Sequence, residues 1–456
     1  MRKISYLIWS VFLFLLADRC FAQARRVSFP HGFRWCIATA AHQIEGSNDK
    51  SDWWQWEQQP GHIDKGDKSG IANDHWNRIE EDTKLLEYLG VDTYRFSVEW
   101  AKIEPRENHY DLEVIQHYRD EVDLLLAKGI EPMITLVHYT LPQWISEKGG
   151  WEWDGVVEAF ERFTEMVFRG IGPNKVRFWV TFNEPMGILM GGYSVGLTPP
   201  GFKRNLNLEK PLTNMLAGHA AAYHVLQSLA RESGQDVQIG IAEHLRIYQA
   251  WNPLDPLASA LARKTAEIGN WTFLMAAETG IVKLSVPFKV NIHKELPGLK
   301  GTQDFIGINY YRRSVVQYMA KPPFIDIEGP GSNPVADNGW EIYPEGIAQV
   351  IEETSRRFPA KHQFITENGI ADKTADDDRR TQYLKDHLMH VSRMIEQGHP
   401  VVGYCFWTLA DNFEWLDGYK TCFGLCETDR TTLTRRPRRS AETFRSIVAA
   451  NGFSLP

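Results

Sequence analysis

The stretch FWVTFNEP, residues 178–185, runs through apolar and β-branched residues to Phe182 and then stops on Asn183, Glu184 and Pro185. A near-continuous apolar run of this length reads as a strand buried on both faces, the signature of a parallel sheet covered by helices. Proline has no amide hydrogen for a ladder, so the strand has to finish here. It finishes on an amide and a carboxylate. A second stretch, QFITENG at 363–369, ends the same way on Glu367. Two strands suited to burial, each closing on a glutamate, predict paired carboxylates at one end of a sheet.

Moving outward, six further runs have this character: FRWCIATA (33–40), VDTYRFS (91–97), EPMITLVH (131–138), VQIGIAEH (237–244), DFIGINYY (304–311) and VVGYCFWT (401–408). Between the runs lie stretches such as HWNRIEEDTKLLEYLG (75–90), with apolar residues at helical spacing and a closing glycine. Eight strand–helix units predict a single (β/α)8 TIM barrel, whose site forms at the C-terminal ends of the strands. A doubly wound open sheet is the alternative, but no GxGxxG loop follows any strand. In a barrel the polar strand ends converge: Arg95, His138 and Asn183-Glu184 from one half, Asn309, Tyr311, Glu367 and Trp407 from the other. Gln43 lies just past the first strand.

The chain has 456 residues, 43% hydrophobic and 24% charged, the range of an ordinary globular protein with a large core. Its formal net charge of −8 and lack of a long basic run exclude a nucleic-acid footprint. Residues 1–24 read as a cleaved secretory signal: Arg2 and Lys3, the apolar run LIWSVFLFLL, then small residues at Ala22 and Ala24. Ten apolar residues are too few for a bilayer core that needs about 20, so no stable membrane insertion of the mature chain is expected. The expected location is secreted or periplasmic, with residues 25–456 forming the catalytic domain. Cleavage would remove Arg2, Lys3, Arg19 and Asp18, taking the net charge from −8 to −10. It would also leave Cys36, Cys405, Cys422 and Cys426, read as packing residues with one disulfide left open.

Two glutamates among Arg, His, Asn and Trp suit glycosidic bond cleavage. One carboxylic acid protonates the leaving oxygen, and one carboxylate meets the developing oxocarbenium charge. No metal or organic cofactor is implied, since no second ligand stands near His138 at metal-binding spacing. His75, His219 and His224 fall in helical patterns and read as packing or capping residues. Each strand-end group also has a bland reading: a glutamate as a loop salt bridge or cap, Arg95 as an ion-pair partner, Trp407 and Trp415 as core.

At these residues the sequence resembles the family 1 glycoside hydrolases, retaining (β/α)8 enzymes of the β-glucosidase and β-galactosidase type. The matching segments are FPHGFRWCIATAAHQIEG (29–46), YRFSVEW (94–100), TLVHYTLPQW (135–144), TFNEP (181–185), DFIGINYY (304–311), NGWEIYPEGI (338–347), ITENG (365–369) and FWTLADNFEW (406–415). They stand in the family's order. The resemblance implies Glu184 as acid/base and Glu367 as nucleophile. It implies that Gln43, His138, Asn183, Glu414 and Trp415 bind the sugar hydroxyls, with Trp407 as the platform beneath the ring and Trp340 on the leaving-group side. Arg95, Asn309 and Tyr311 would support the nucleophile, Tyr311 also lining the substrate site. A neighbouring arginine favours an ionised Glu367, and an ionised Glu414 would repel a 6-phosphate. Cys36 departs from the family's usual glycine, and EHLRIYQAWNPLDPLA (243–258) departs from its usual leaving-group side.

The function expected is hydrolysis of terminal β-D-glucosyl residues from oligosaccharides or small β-glucosides. A β-galactosidase or β-fucosidase of the same mechanism is the enzymatic alternative, and a non-catalytic carbohydrate-binding barrel is the alternative from another class. Oligomeric state is not legible in the sequence.

Overall fold

The computed structural model describes residues 26–286, 289–319 and 325–455, so the signal segment expected at 1–24 lies outside the described residues. Eight strands form a closed, all-parallel barrel: β1 (Arg34–Ala38), β2 (Thr93–Ser97), β3 (Glu131–Val137), β4 (Phe178–Asn183), β5 (Gln238–His244), β6 (Phe305–Asn309), β7 (His362–Asn368) and β8 (Val401–Trp407). Each pairs with its neighbours in sequence, and β8 closes on β1 through Cys405 opposite Cys36. All eight fall, to within one residue, inside the runs expected from the sequence.

A long helix follows each strand: α1 (His75–Leu89), α2 (Leu112–Ala127), α3 (Val156–Ile171), α4 (Glu209–Ser233), α5 (Pro256–Thr279), α6 (Glu345–Arg357), α7 (Asp378–Glu396) and α8 (Arg439–Ala450). In α3 the buried positions Val156, Ala159, Phe160, Phe163 and Val167 recur every three or four residues, giving one stripe to press on the barrel. Asp111 caps α2, its carboxylate accepting from the Glu113 and Val114 amides. Gly90 ends α1 in the left-handed conformation, φ 74°.

Alternation along the strands divides the core in two. Met133, Phe178, Val180, Phe305 and Phe364 fill the barrel interior, while Ile37, Ile134, Trp179, Ile239 and Ile306 face the helices. This interior layer forms a floor, and the polar strand ends stand above it. At the opposite end, Arg26–Ser28 pairs antiparallel with Gly452–Ser454.

The one disulfide left open by the sequence forms between Cys36 and Cys405. Neighbouring parallel strands bring their Cα atoms to 4.1 Å with both side chains facing inward. The pairing follows from barrel closure, which no spacing in the chain reveals. His75 is buried between Asp82 at 2.7 Å and Glu121 at 3.0 Å, a structural ion-pair site beneath α1. His219 meets Thr181 Oγ1 at 2.7 Å and His224 meets the Gly298 carbonyl at 2.7 Å. No described helix is long and apolar enough to cross a membrane.

Candidate active site

Above the floor, the C-terminal strand ends surround a cavity of about 760 Å³. Nine of the twelve residues expected at the site line it: His138, Asn183, Glu184, Tyr311 and Trp340, with Glu367, Trp407, Glu414 and Trp415. Arg95, Asn309 and Gln43 do not. They are fully buried next to it and hydrogen-bonded to the lining residues Glu414, Glu367 and Glu184.

Glu367 ends β7 facing β2 across the barrel. Arg95 donates Nη1 to Glu367 Oε1 at 2.7 Å, and Tyr311 donates its hydroxyl to Oε2 at 2.7 Å. Nη2 of the same arginine reaches Asn183 Oδ1 at 2.7 Å, so one guanidinium sets two strand ends. Burial pushes the Glu367 carboxyl up to about 7, and Arg95 acts against it while the charge of Glu184 adds to it. The arginine favours the ionised form, as expected, but burial is the larger effect. In the closed site, desolvation outweighs a single countercharge.

Glu184 sits one residue past β4 with φ 48°, in the left-handed region, which turns its side chain into the cavity before the short helix Pro185–Ile188 begins. Its partners are neutral. The Tyr139 hydroxyl donates to Oε2, and Asn309 Nδ2 donates to Oε1 at 3.0 Å. Asn309 also reaches Asn183 Oδ1 at 2.9 Å. It was expected to support Glu367, and the hydrogen bonds put it with Glu184 instead. The reason is the ladder: Asn309 pairs beside Glu367 in the backbone, but its amide points across toward β4.

On the sugar-binding side, Gln43 Nε2 donates to Phe413 O, Asn412 Oδ1 and Glu414 Oε2 at 2.8, 2.9 and 3.2 Å. Its own Oε1 is buried without a protein partner. Trp407 Nε1 lies 3.4 Å from the other Glu414 oxygen. Burial pushes Glu414 up to about 8 despite these donors, so the repulsion expected of an ionised Glu414 toward a phosphate applies only at alkaline pH. His138 stacks between Trp407 and Trp415, at 5.7 and 6.1 Å. Burial, then the Arg95 charge, holds His138 well below its usual range and therefore neutral. Nε2 lies 3.0 Å from Asn183 Nδ2. If Nε2 accepts there, Nδ1 carries the proton, and Nδ1 has no protein partner.

Three residues were missed. Tyr139 directly follows His138 and holds Glu184. His244, 3.8 Å from Glu184 Oε2, is kept neutral by burial and by the charges of Arg246 and Arg312. Glu243 lines the cavity beside it, pushed well above the usual carboxylate range by burial and the Glu184 charge. The run VQIGIAEH ends on Glu243 and His244, the same strand-end signal that marks Asn183. Tyr139 carried no such signal. Among the described residues, no group of three or more His, Cys, Asp or Glu is arranged to hold a metal.

Comparison with known proteins gives the same picture. The family model for glycosyl hydrolase family 1 matches residues 25–453. Beta-glucosidase A of Thermotoga maritima is 32% identical over 448 residues, covering 93% of this chain and 98% of that protein. A 1,4-beta-D-glucan glucohydrolase of Thermotoga neapolitana is 31% identical, covering 93% of this chain and 99% of its own. Among solved structures, a beta-glycosidase from Pyrococcus horikoshii superimposes with a TM-score of 0.85 at 34% identity, over 94% of this chain and 97% of that one.

Proposed function

Because this chain belongs to glycosyl hydrolase family 1, we propose that it is a β-glucosidase acting by double displacement, with Glu184 as acid/base and Glu367 as nucleophile. The observation that carries the assignment is the difference between the two carboxyls' partners. Glu367 has a guanidinium and a phenol on its oxygens, which suits an anion that must attack. Glu184 has a phenol and an amide, which suits a group that gives its proton away and takes it back.

In the first step Glu184 delivers its proton to the glycosidic oxygen as the C1–O bond breaks. A Glu367 oxygen bonds C1 from the opposite face and forms a glycosyl ester. Esterification removes the Glu367 charge, which favours ionised Glu184. That carboxylate takes a proton from water as the water oxygen bonds C1 and the ester opens, so configuration is retained. Gln43, Glu414, His138 and Asn183 would hold the hydroxyls, and Trp407 would lie under the ring.

The substrate in this reading is a terminal β-D-glucosyl residue on an oligosaccharide or small glucoside. Residues 25–456 form the catalytic domain, exported on the basic, apolar, small-residue pattern of 1–24. A mature N-terminus at Gln23 or Arg25 in the exported protein would support export, and an intact Met1 would refute it.

A nitrophenyl β-glycoside panel separates glucoside from galactoside and fucoside preference, and no turnover of any member would leave only a binding barrel. The roles are tested by azide. Glu184→Ala should still form the glycosyl-enzyme from dinitrophenyl glucoside and yield the β-azide. Glu367→Ala should lose activity on substrates with every leaving group and, rescued by azide, yield the α-azide. The opposite anomers by proton NMR would reverse the two roles.

A further inference from the structure

Beyond Glu184 the cavity continues away from the sugar-binding side, along the end of β5 and the chain that follows it. Glu243, His244, Arg246 and Tyr248 line it there. All four lie in the segment 243–258, which departs from the family's usual sequence. Helix α5 adds Lys264 to the same wall, and the strand Ile325–Gly329 adds Glu328.

The charges on this wall do not cancel. Arg246 donates Nη1 to both Glu328 oxygens, at 2.8 and 3.0 Å, and Arg312 donates Nη2 to one of them. One carboxylate thus serves two guanidiniums, which against burial hold it below its usual range and therefore ionised. The Glu328 side chain is 55% exposed, against 21% for Arg246 and 7% for Arg312. Water therefore screens the anion more than the cations it faces. Burial, with the Arg246 charge beside it, pulls Arg312 down to about 10. Lys264 is a third cation, and its ammonium has no carboxylate within 4.0 Å among the described residues. Glu243 does not restore the balance: burial and then the Glu184 charge push its carboxyl well above the usual range, which favours the protonated form. Glu243 Oε2 and His244 Nε2 are buried without a protein partner.

We propose that this half of the cavity receives an aglycone bearing a carboxylate, which Arg246 and Lys264 bind. The inference rests on the β-glucosidase reading above and adds the class of leaving group. A guanidinium presents its donors in a planar fork that matches a carboxylate. Such charge-assisted contacts strengthen where water is largely excluded. His244 lies 3.8 Å from Glu184 Oε2, and Arg246 follows two residues later, about 7 Å along an extended chain. One phenyl ring spans that gap, and Tyr311, Trp340 and Phe423 line the cavity with aromatic faces for it. The glucosyl ring stays on the Glu414 side, and its contacts are unchanged.

The test is a pair of uncleaved ligands, 4-carboxyphenyl and 4-carbamoylphenyl 1-thio-β-D-glucoside, alike in shape and different in charge. Calorimetry on the unaltered protein at neutral pH should give the carboxylate a Kd about tenfold lower than the carboxamide. Equal Kd values, a tighter carboxamide or no binding of the carboxylate overturns the inference. Two variants change the wall charge in opposite directions. Lys264→Met keeps the stem and removes a cation, and should narrow the gap between the two ligands. Glu328→Gln removes the anion, and should widen it. A gap that stays fixed in both folded variants, or moves the other way, counts against the inference. If 4-nitrophenyl β-glucoside is not hydrolysed, the β-glucosidase reading fails alone, and the ratio of the two Kd values still decides this one.

Discussion

Arg95 and Glu367 meet across the barrel at 2.7 Å, 272 residues apart in sequence, and both are buried from solvent. Removing the arginine would leave a desolvated carboxyl without its countercharge. Breaking one side of a buried pair costs about 3–5 kcal/mol. Arg95→Met should therefore lower kcat/KM by roughly 10²–10⁴-fold at neutral pH. Glu367 reacts as an anion and burial holds it near 7, so activity of the unaltered protein should fall as pH drops below that region. In the variant the acid limb should move to higher pH. An unmoved limb would mean that Arg95 supports the fold rather than the charge state of Glu367.

The Tyr139 hydroxyl touches Glu184 and lies beside Trp415, the ring centroids 4.9 Å apart. A hydrogen bond to a charged group is worth about 1.5–3 kcal/mol, so Tyr139→Phe should lose roughly 10–100-fold in kcat on alkyl glucosides. Dinitrophenyl glucoside departs without protonation and should lose far less in its first step. Equal losses for both leaving groups would refute a positioning role for Tyr139 on the acid.

Glu414 is protonated in the folded protein up to about pH 8, because burial opposes its charge. In the unfolded chain it ionises near 4.5. The folded state therefore binds the extra proton between these values, and its advantage, full below 4.5, is lost as pH rises toward 8. Glu414→Gln has no proton to lose. It should melt at a higher temperature than the unaltered protein at pH 8, by an increment that vanishes near pH 4.5, and should bind the sugar less well. A Tm difference independent of pH would show that Glu414 does not titrate in this way.

His75 shows the opposite case. Burial alone would lower it, but Glu121 and Asp82 on its two nitrogens raise it from 6.5 to about 10. The stability it contributes is fully present below pH 6.5 and lost as pH rises through about 10. His75→Gln should cost about 3–5 kcal/mol at pH 6 and less at pH 10, read from denaturant unfolding. A cost that does not shrink with pH would place the contribution in packing.

The Cys36–Cys405 disulfide leaves Cys422 and Cys426 as the free thiols among the described residues. Alkylation of the denatured, unreduced protein should modify those two, and a digest should link the peptides carrying Cys36 and Cys405. Alkylated Cys36 or Cys405 in that digest would refute the pairing. The bridge closes a loop spanning 369 residues, for which chain entropy allows a stabilisation of up to about 5 kcal/mol. Cys405→Ala should therefore lower Tm without abolishing barrel closure, which rests on eight hydrogen-bonded ladders.

The sequence by itself determined the eight strands, the helices between them and the end of the barrel at which the polar residues gather. Burial on both faces, helical periodicity and a stop at Asn-Glu-Pro are local signals, carried by consecutive residues. Contacts across the barrel are different. That Asn309 holds Glu184 and not Glu367, that Tyr139 reaches the same carboxyl, and that Cys36 meets Cys405 depend on where ladders close and side chains cross the interior. The charge state of Glu367 belongs with them: a neighbouring arginine was foreseen, but how much water the closed site excludes is a property of the whole fold, and it outweighs the arginine.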